Sequence, residues 1–170
     1  EPPHPVEYAA AIKESIGDMK VKLILEPGRV IVGNAGILVT KVLYRKSTDE
    51  KEFVIVDAGM NDLVRPTLYK AFHAIKPVVI SGEGEMTADI VGPICESGDF
   101  MALGRIMPKV GQGELLSVMS AGAYGFVMSS NYCSRLKIPE VMVKDDKFYV
   151  ARKRQKYEDL TRGENIPSFL

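Results

Sequence analysis

Two cysteines and two histidines are all that this chain of 170 residues offers to a soft metal or a disulfide. Cys95 and Cys133 are too few and too far apart for a disulfide framework or a zinc site, so a reducing cytoplasm is the simplest setting. His4 and His73 have no spaced partners that would make either a metal ligand, and His73 reads as a packed or capping residue on the helix that follows Arg65. Net charge is also missing: 22 basic residues balance 22 acidic ones, and no polybasic run suggests nucleic acid or an anionic membrane surface. Long apolar runs are absent too. Gly, Pro or a charge interrupts every one within a few residues, too soon for a membrane span, and the chain reads as soluble. The start, Glu1-Pro2-Pro3-His4-Pro5, lacks the basic-then-apolar order of a secretion signal. A small-molecule or protein partner is what these exclusions leave.

What is present divides in two. Apolar residues recur at helical spacing from Val6 to Met19, and Val21 to Leu25 give a compact strand. A lone helix–strand unit cannot bury both its faces, so residues 1–30 read as the last turn of an α/β domain whose remainder lies upstream. Residues 31–170 read as a mainly β domain, a barrel or sandwich. Its expected strands are Gly36–Tyr44, Glu52–Asp57, Val78–Ile80, Asp89–Ile94, Met101–Ile106, Glu114–Ser120, Glu140–Val143 and Lys147–Val150. Polar turns separate them at Ser47–Lys51, Gly82-Glu83-Gly84-Glu85 and Asp145-Asp146. Helical breaks are expected from Arg65 to about Ala74 and after Gly122, and the charged tail from Arg152 to Arg162 could form a last helix.

Four segments carry chemistry. In Glu26-Pro27-Gly28-Arg29 a carboxylate and a guanidinium are separated by a residue of fixed φ and one without a side chain. That leaves a backbone N–H open to an anion, or else makes a tight turn closed by a surface ion pair. Arg65 and Tyr69, four apart, share a helix face and can grip a carboxylate through a charged fork and a hydroxyl; a solvated face is the plainer alternative. Cys95-Glu96 lies in a turn-forming run, Ser97-Gly98-Asp99, that would expose a thiol able to donate a proton; Cys133 is read as a small buried hydrophobe. Tyr124, between Ala121-Gly122-Ala123 and Gly125, can meet a flat ligand without crowding or can be a core aromatic.

Together, Glu26–Arg29, Met60–Tyr69, Cys95–Asp99 and Ala121–Gly125 resemble the diaminopimelate decarboxylase family of pyridoxal-phosphate enzymes, over nearly this whole chain but only the rear of that family's. The resemblance implies an alanine racemase/ornithine decarboxylase-like fold and decarboxylation of meso-2,6-diaminopimelate to L-lysine in a cytoplasmic homodimer with shared sites. It implies that Glu26, Gly28, Arg29 and Tyr124 bind pyridoxal 5′-phosphate, Glu26 against the ring nitrogen. It gives Arg29, Arg65, Tyr69, Glu96 and Tyr124 to substrate, Glu96 taking the distal ammonium, and makes Cys95 the catalytic proton donor, with Cys95 and Glu96 delivered to the partner's site. No metal, membrane or nucleic acid is implied. Two alternatives stand beside it. An ornithine- or arginine-type decarboxylase shares the first segment and the cysteine, but its substrate has no distal carboxylate for Arg65 to neutralise, and it carries Asp where this chain has Glu96. A noncatalytic relative could keep the fold for binding or dimerisation, since nothing before Glu26 offers a cofactor-anchoring lysine segment or a glycine-rich phosphate loop.

Overall fold

The computed structural model describes residues 3–81 and 84–169. Eight strands follow in chain order: β1 (Leu38–Ser47), β2 (Glu52–Val56), β3 (Ile75–Pro77), β4 (Glu85–Val91), β5 (Phe100–Pro108), β6 (Leu115–Val118), β7 (Glu140–Lys144) and β8 (Lys147–Arg152). The helices among the described residues are α1 (Pro5–Ile16), α2 (Arg29–Val32) and α3 (Arg65–Tyr69). The fold is mainly β, as the many short strands imply.

Six strands form one sheet in the order β3-β6-β1-β2-β4-β5, and β7 and β8 form a separate hairpin. Every pairing in the sheet is antiparallel except β2 with β4. The parallel pair arises because the chain leaves β2, crosses to the far edge through α3 and β3, and only then returns as β4. The sheet curls until its edges meet: Arg105 of β5 donates to the carbonyl of His73, just ahead of β3, at 2.8 Å. The result is a nearly closed barrel.

Alternation explains which residues fill it, because successive side chains on a strand point to opposite faces. Along β1, Leu38, Thr40 and Val42 point inward; they meet Val54 and Val56 of β2, Met86, Ala88 and Ile90 of β4, and Leu116 and Val118 of β6. Thr40 is tolerated inside because its hydroxyl donates to Asp57 Oδ1 at 2.6 Å and accepts the Ala58 N–H at 2.9 Å. Leu63, between β2 and α3, is fully buried in the same core and fixes where the crossing segment lies.

Several expected elements differ. Val21–Leu25 forms no strand and pairs with none among the described residues, and Val21, Leu23 and Ile24 are more than half exposed. A β-prone run without a neighbour to accept its backbone hydrogen bonds has nothing to make it a strand. The expected strand at Val78–Ile80 is displaced to β3, three residues earlier, where Ile75 to Pro77 find partners on β6. The strand placed at Asp89–Ile94 is β4, starting at Glu85 and stopping at Val91, because the Gly92 N–H turns back to the Asp99 carbonyl at 2.9 Å. α3 spans five residues and stops short of Ala74, because Lys70 adopts left-handed backbone (φ 53°) and closes the helix on the Arg65 carbonyl. After Gly122 there are 3-10 turns (Phe126–Met128 and Tyr132–Ser134) in place of a helix, and the tail holds one more, Tyr157–Asp159. Of the turn at Gly82-Glu83-Gly84-Glu85, and of the chain start, Gly82, Glu83, Glu1 and Pro2 lie outside the described residues.

Candidate active site

Glycine sets the first half of the site. Gly28 precedes α2, and a Cβ there would stand 3.0 Å from the Tyr124 hydroxyl. α2 and the turn after it lie on the 120–125 loop through backbone contacts: Gly122 N–H donates to Gly33 O at 3.0 Å and Ala121 N–H to Gly36 O at 2.8 Å. Ser120 adds a hydroxyl bond to Asn34 Oδ1 at 2.8 Å. The approach is so close that a Cβ on Gly36 would lie 2.5 Å from Gly122 Cα, and one on Gly122 would collide with the Val32 carbonyl. The loop then places Tyr124 in left-handed backbone (φ 58°), at a cost of about 1–2 kcal/mol for a residue with a Cβ. In that conformation the ring reaches Arg29, whose guanidinium lies 5.8 Å from its centroid.

α3 supplies the second half, and a buried polar frame aims it. The Gly59 N–H donates to Asp62 Oδ2 at 3.0 Å, and Arg135 donates from Nε to Asn61 Oδ1 at 2.8 Å and from Nη2 to the Asp57 carbonyl at 2.6 Å. Burial pushes the Asp62 carboxyl up from its ordinary range, opposed by the Gly59 N–H and by the Arg135 charge 3.8 Å away. From this base Arg65, 7% exposed, reaches within 5.7 Å of the Tyr124 ring centroid and 5.9 Å of the Tyr69 ring.

The structure therefore brings Arg29, Arg65, Tyr69 and Tyr124 together around a cavity of 450 Å³, completed by Ala71 and Met128. Among the described residues no carboxylate lies within ion-pairing distance of either guanidinium. Two cations beside one aromatic ring, with their own charge uncompensated among the described residues, form a receptor for anionic groups carried on a flat or short scaffold. His73, between α3 and β3, is 3% exposed; its Nδ1 lies 2.8 Å from the Met119 carbonyl, and its Nε2 is buried without a partner among the described residues. Burial holds its imidazole below the ordinary histidine range; the Met119 bond opposes this, and Arg65, Arg29 and Arg105 reinforce it. It is packed, as expected, though in the strand lead-in beyond α3.

Glu26 stays apart from this cluster: it is exposed and, among the described residues, makes no hydrogen bond. Cys95 and Glu96 occupy the turn between β4 and β5, both exposed and neither lining the cavity. Glu96 accepts the Gly98 N–H at 3.2 Å and the Tyr132 hydroxyl at 3.2 Å; that bond and the Glu96 charge push the Tyr132 phenol up. Cys133, expected to be buried, is exposed in the 3-10 turn beside Tyr132, in left-handed backbone (φ 53°) that faces it away from any core. The frame residues Asn61, Asp99 and Arg135 give no local signal in the sequence, because they are joined to partners up to 78 positions away.

Comparison with known proteins follows the same outline. Residues 15–122 match the family model described as pyridoxal-dependent decarboxylase, C-terminal sheet domain. The chain is 51% identical over 156 residues to a diaminopimelate decarboxylase of Aquifex aeolicus, covering 92% of this chain and 37% of that protein. It is 49% identical over 170 residues to one from Zymomonas mobilis, covering all of this chain and 40% of that protein. The crystal structure of diaminopimelate decarboxylase from Helicobacter pylori complexed with L-lysine superposes with a TM-score of 0.81 at 44% identity, covering 92% of this chain and 38% of that one. The chain thus spans about two fifths of the length of the relatives it matches. No helix among the described residues is long and apolar enough to cross a membrane.

Proposed function

The chain belongs to the pyridoxal-dependent decarboxylases, as their C-terminal sheet domain, and from that premise we propose that it is part of a diaminopimelate decarboxylase converting meso-2,6-diaminopimelate to L-lysine and carbon dioxide. One observation carries the choice of substrate: the nearly buried Arg65, beside Tyr69 and Arg29, with no carboxylate within ion-pairing distance among the described residues. A buried cation left uncompensated is costly unless a ligand supplies the missing anion. A distal carboxylate does so; ornithine, which ends in an ammonium alone, does not.

The residues present fit pyridoxal phosphate. The cramped approach of Gly28 to the Tyr124 hydroxyl leaves the start of α2 free of side chain, and Arg29 adds a cation at the same ring. Gly28 and Arg29 would hold the phosphate, Tyr124 would lie against cofactor and substrate, and Glu26 would stand beside the ring nitrogen and keep its proton on. The cofactor, when bound, supplies electron withdrawal from the substrate's reacting carbon. The chain's own groups do the rest. Arg65 and Tyr69 grip the distal carboxylate, Arg29 also reaches substrate, and Glu96 takes the distal ammonium. Cys95 Sγ gives its proton to the carbon that has lost carbon dioxide, and the thiolate left behind recovers a proton from solvent. In this reading the enzyme is a cytoplasmic homodimer, and Cys95 with Glu96 complete the partner's site. Residues 1–30 close an α/β barrel that carries the anchoring lysine, and residues 31–170 form the β domain.

The test is carbon dioxide release by the full-length protein loaded with pyridoxal phosphate and offered meso-diaminopimelate, L-ornithine or L-arginine in turn. A clear preference in kcat/KM for meso-diaminopimelate is expected. Preference for ornithine or arginine would remove the carboxylate role of Arg65, and no turnover of any of them would favour a noncatalytic relative.

A further inference from the structure

Asp99 is 4% exposed, yet it carries a carboxylate in the turn that presents Cys95 and Glu96. Its two oxygens divide their work. Oδ2 accepts the Ile94 N–H at 2.6 Å, the residue immediately before Cys95. Oδ1 reaches 39 positions back to accept the Met60 N–H at 2.6 Å, at the head of the segment that leads through Asn61 and Asp62 to α3. Backbone bonds close the turn around this carboxylate: Gly92 N–H to Asp99 O at 2.9 Å, Asp99 N–H to Glu96 O at 3.0 Å and Glu96 N–H to Ile94 O at 2.8 Å. The carboxylate fills the space that a Cβ on Gly92 would need, so no other residue type fits at position 92 without expelling it. On the outer side the Thr67 hydroxyl of α3 donates to the Gly98 carbonyl. Cys95 itself is exposed, on a turn that the buried Asp99 carboxylate braces from within.

We propose that Asp99 is a positioning residue: by accepting the Ile94 and Met60 N–H groups together, its carboxylate fixes the Cys95–Glu96 turn at one height over the α3 segment, and so sets where the Cys95 thiol stands. The proposal rests on the reading of Cys95 as proton donor for its effect on catalysis, but not for its effect on the thiol. Two charge-assisted bonds to backbone N–H groups specify a turn better than packing does, because each has a defined length and direction. Asparagine has nearly the same shape but can present only one oxygen, and its NH2 must face the other N–H; Asp99→Asn therefore releases one end of the brace and leaves its volume in place.

The test uses the full-length holoenzyme and two readouts. In the first, Asp99→Asn is expected to lower kcat by about 10- to 100-fold, the range that a misplacement of about 1 Å produces, with affinity for pyridoxal phosphate unchanged. The same substitution in a Cys95→Ala background should then cost almost nothing, because the group it positions is gone. In the second, the rate of Cys95 alkylation by iodoacetamide, followed on the Cys95 peptide by mass spectrometry, should differ between wild type and Asp99→Asn. Thr67→Val, which removes the outer tether and keeps the side-chain shape, should shift both readouts the same way by less, and it decides the matter if Asp99→Asn does not fold. An unchanged kcat, a full loss persisting in the Cys95→Ala background, or a parallel fall in cofactor affinity would overturn the proposal. If Cys95→Ala alone leaves turnover intact, the donor reading fails. The alkylation rate then judges the positioning role by itself: a changed rate upholds it and an unchanged rate overturns it.

Discussion

Replacing Arg65 with methionine keeps most of the side-chain volume and removes only the charge and the donors. In the fold, the guanidinium makes two cation–π contacts, at 5.7 Å to Tyr124 and 5.9 Å to Tyr69, each contributing about 1–2 kcal/mol for a largely desolvated cation. Methionine forfeits these but also ends the burial of an uncompensated cation, so the two effects oppose each other and the net change stays within about 2 kcal/mol. At about 2–4 °C of melting temperature per kcal/mol for a chain of this size, the variant should melt within several degrees of wild type. Binding should respond very differently. A charge-assisted hydrogen bond contributes roughly 1.5–3 kcal/mol, so losing the fork to a carboxylate weakens its ligand by about 10- to 150-fold. L-lysine and cadaverine make the comparison clean, since they differ only by the distal carboxylate. Measured as competitive inhibitors of the full-length enzyme, L-lysine should lose affinity in Arg65→Met by that factor while cadaverine keeps its own. Equal losses for both would place Arg65 on a shared part of the ligand or on the cofactor, and the argument for the substrate would fall with it.

Two further outcomes follow from the same geometry. Gly122→Ala drives a Cβ into the Val32 carbonyl, and the backbone must separate α2 from the Tyr124 loop. Overpacking of this kind costs about 1–3 kcal/mol, so both the melting temperature and the affinity of the full-length protein for pyridoxal phosphate should drop; retention of both would mean the loop yields without moving Arg29. His73 gives a pH dependence. Its imidazole is held below the ordinary value in the folded state, chiefly by burial, with Arg65, Arg29 and Arg105 adding to it and the Met119 bond opposing it. The unfolded chain therefore takes up the proton first. The contribution to stability is complete above about pH 6.5, the unfolded value, and declines as pH falls below it. Thermal unfolding followed between pH 7.5 and 5 should show that decline, and His73→Gln, which retains a donor for Met119, should flatten it. A slope that survives the substitution would assign the effect elsewhere.

The β domain was legible because its evidence is local. Turn residues at Ser47–Lys51 and Asp145-Asp146 join β1 to β2 and β7 to β8 where they were expected. Arg65 and Tyr69 shared a face on spacing, which even one turn of helix is enough to realise. What escaped depends on partners. Val78 to Ile80 is as apolar as any strand, but only Ile75 to Pro77 lie opposite β6. Lys70 ends α3 in a left-handed conformation that glycine or asparagine would have announced and lysine does not. The Asn61–Arg135 and Asp99–Met60 bonds join residues with no pattern between them, so the frame behind the site becomes visible only in three dimensions.

The exposed run Val21-Lys22-Leu23-Ile24-Leu25 has a consequence for handling the protein. A β-prone apolar stretch that lies outside any sheet is a template on which a second copy can pair. The formal charge of zero supplies no long-range repulsion to keep two copies apart. Two gatekeepers restrain it: Lys22 inside the run, and Pro27, which cannot donate, just beyond it. This run therefore lowers the solubility of the chain in isolation, and adding charge at Leu23 or Ile24 should improve it without touching the barrel.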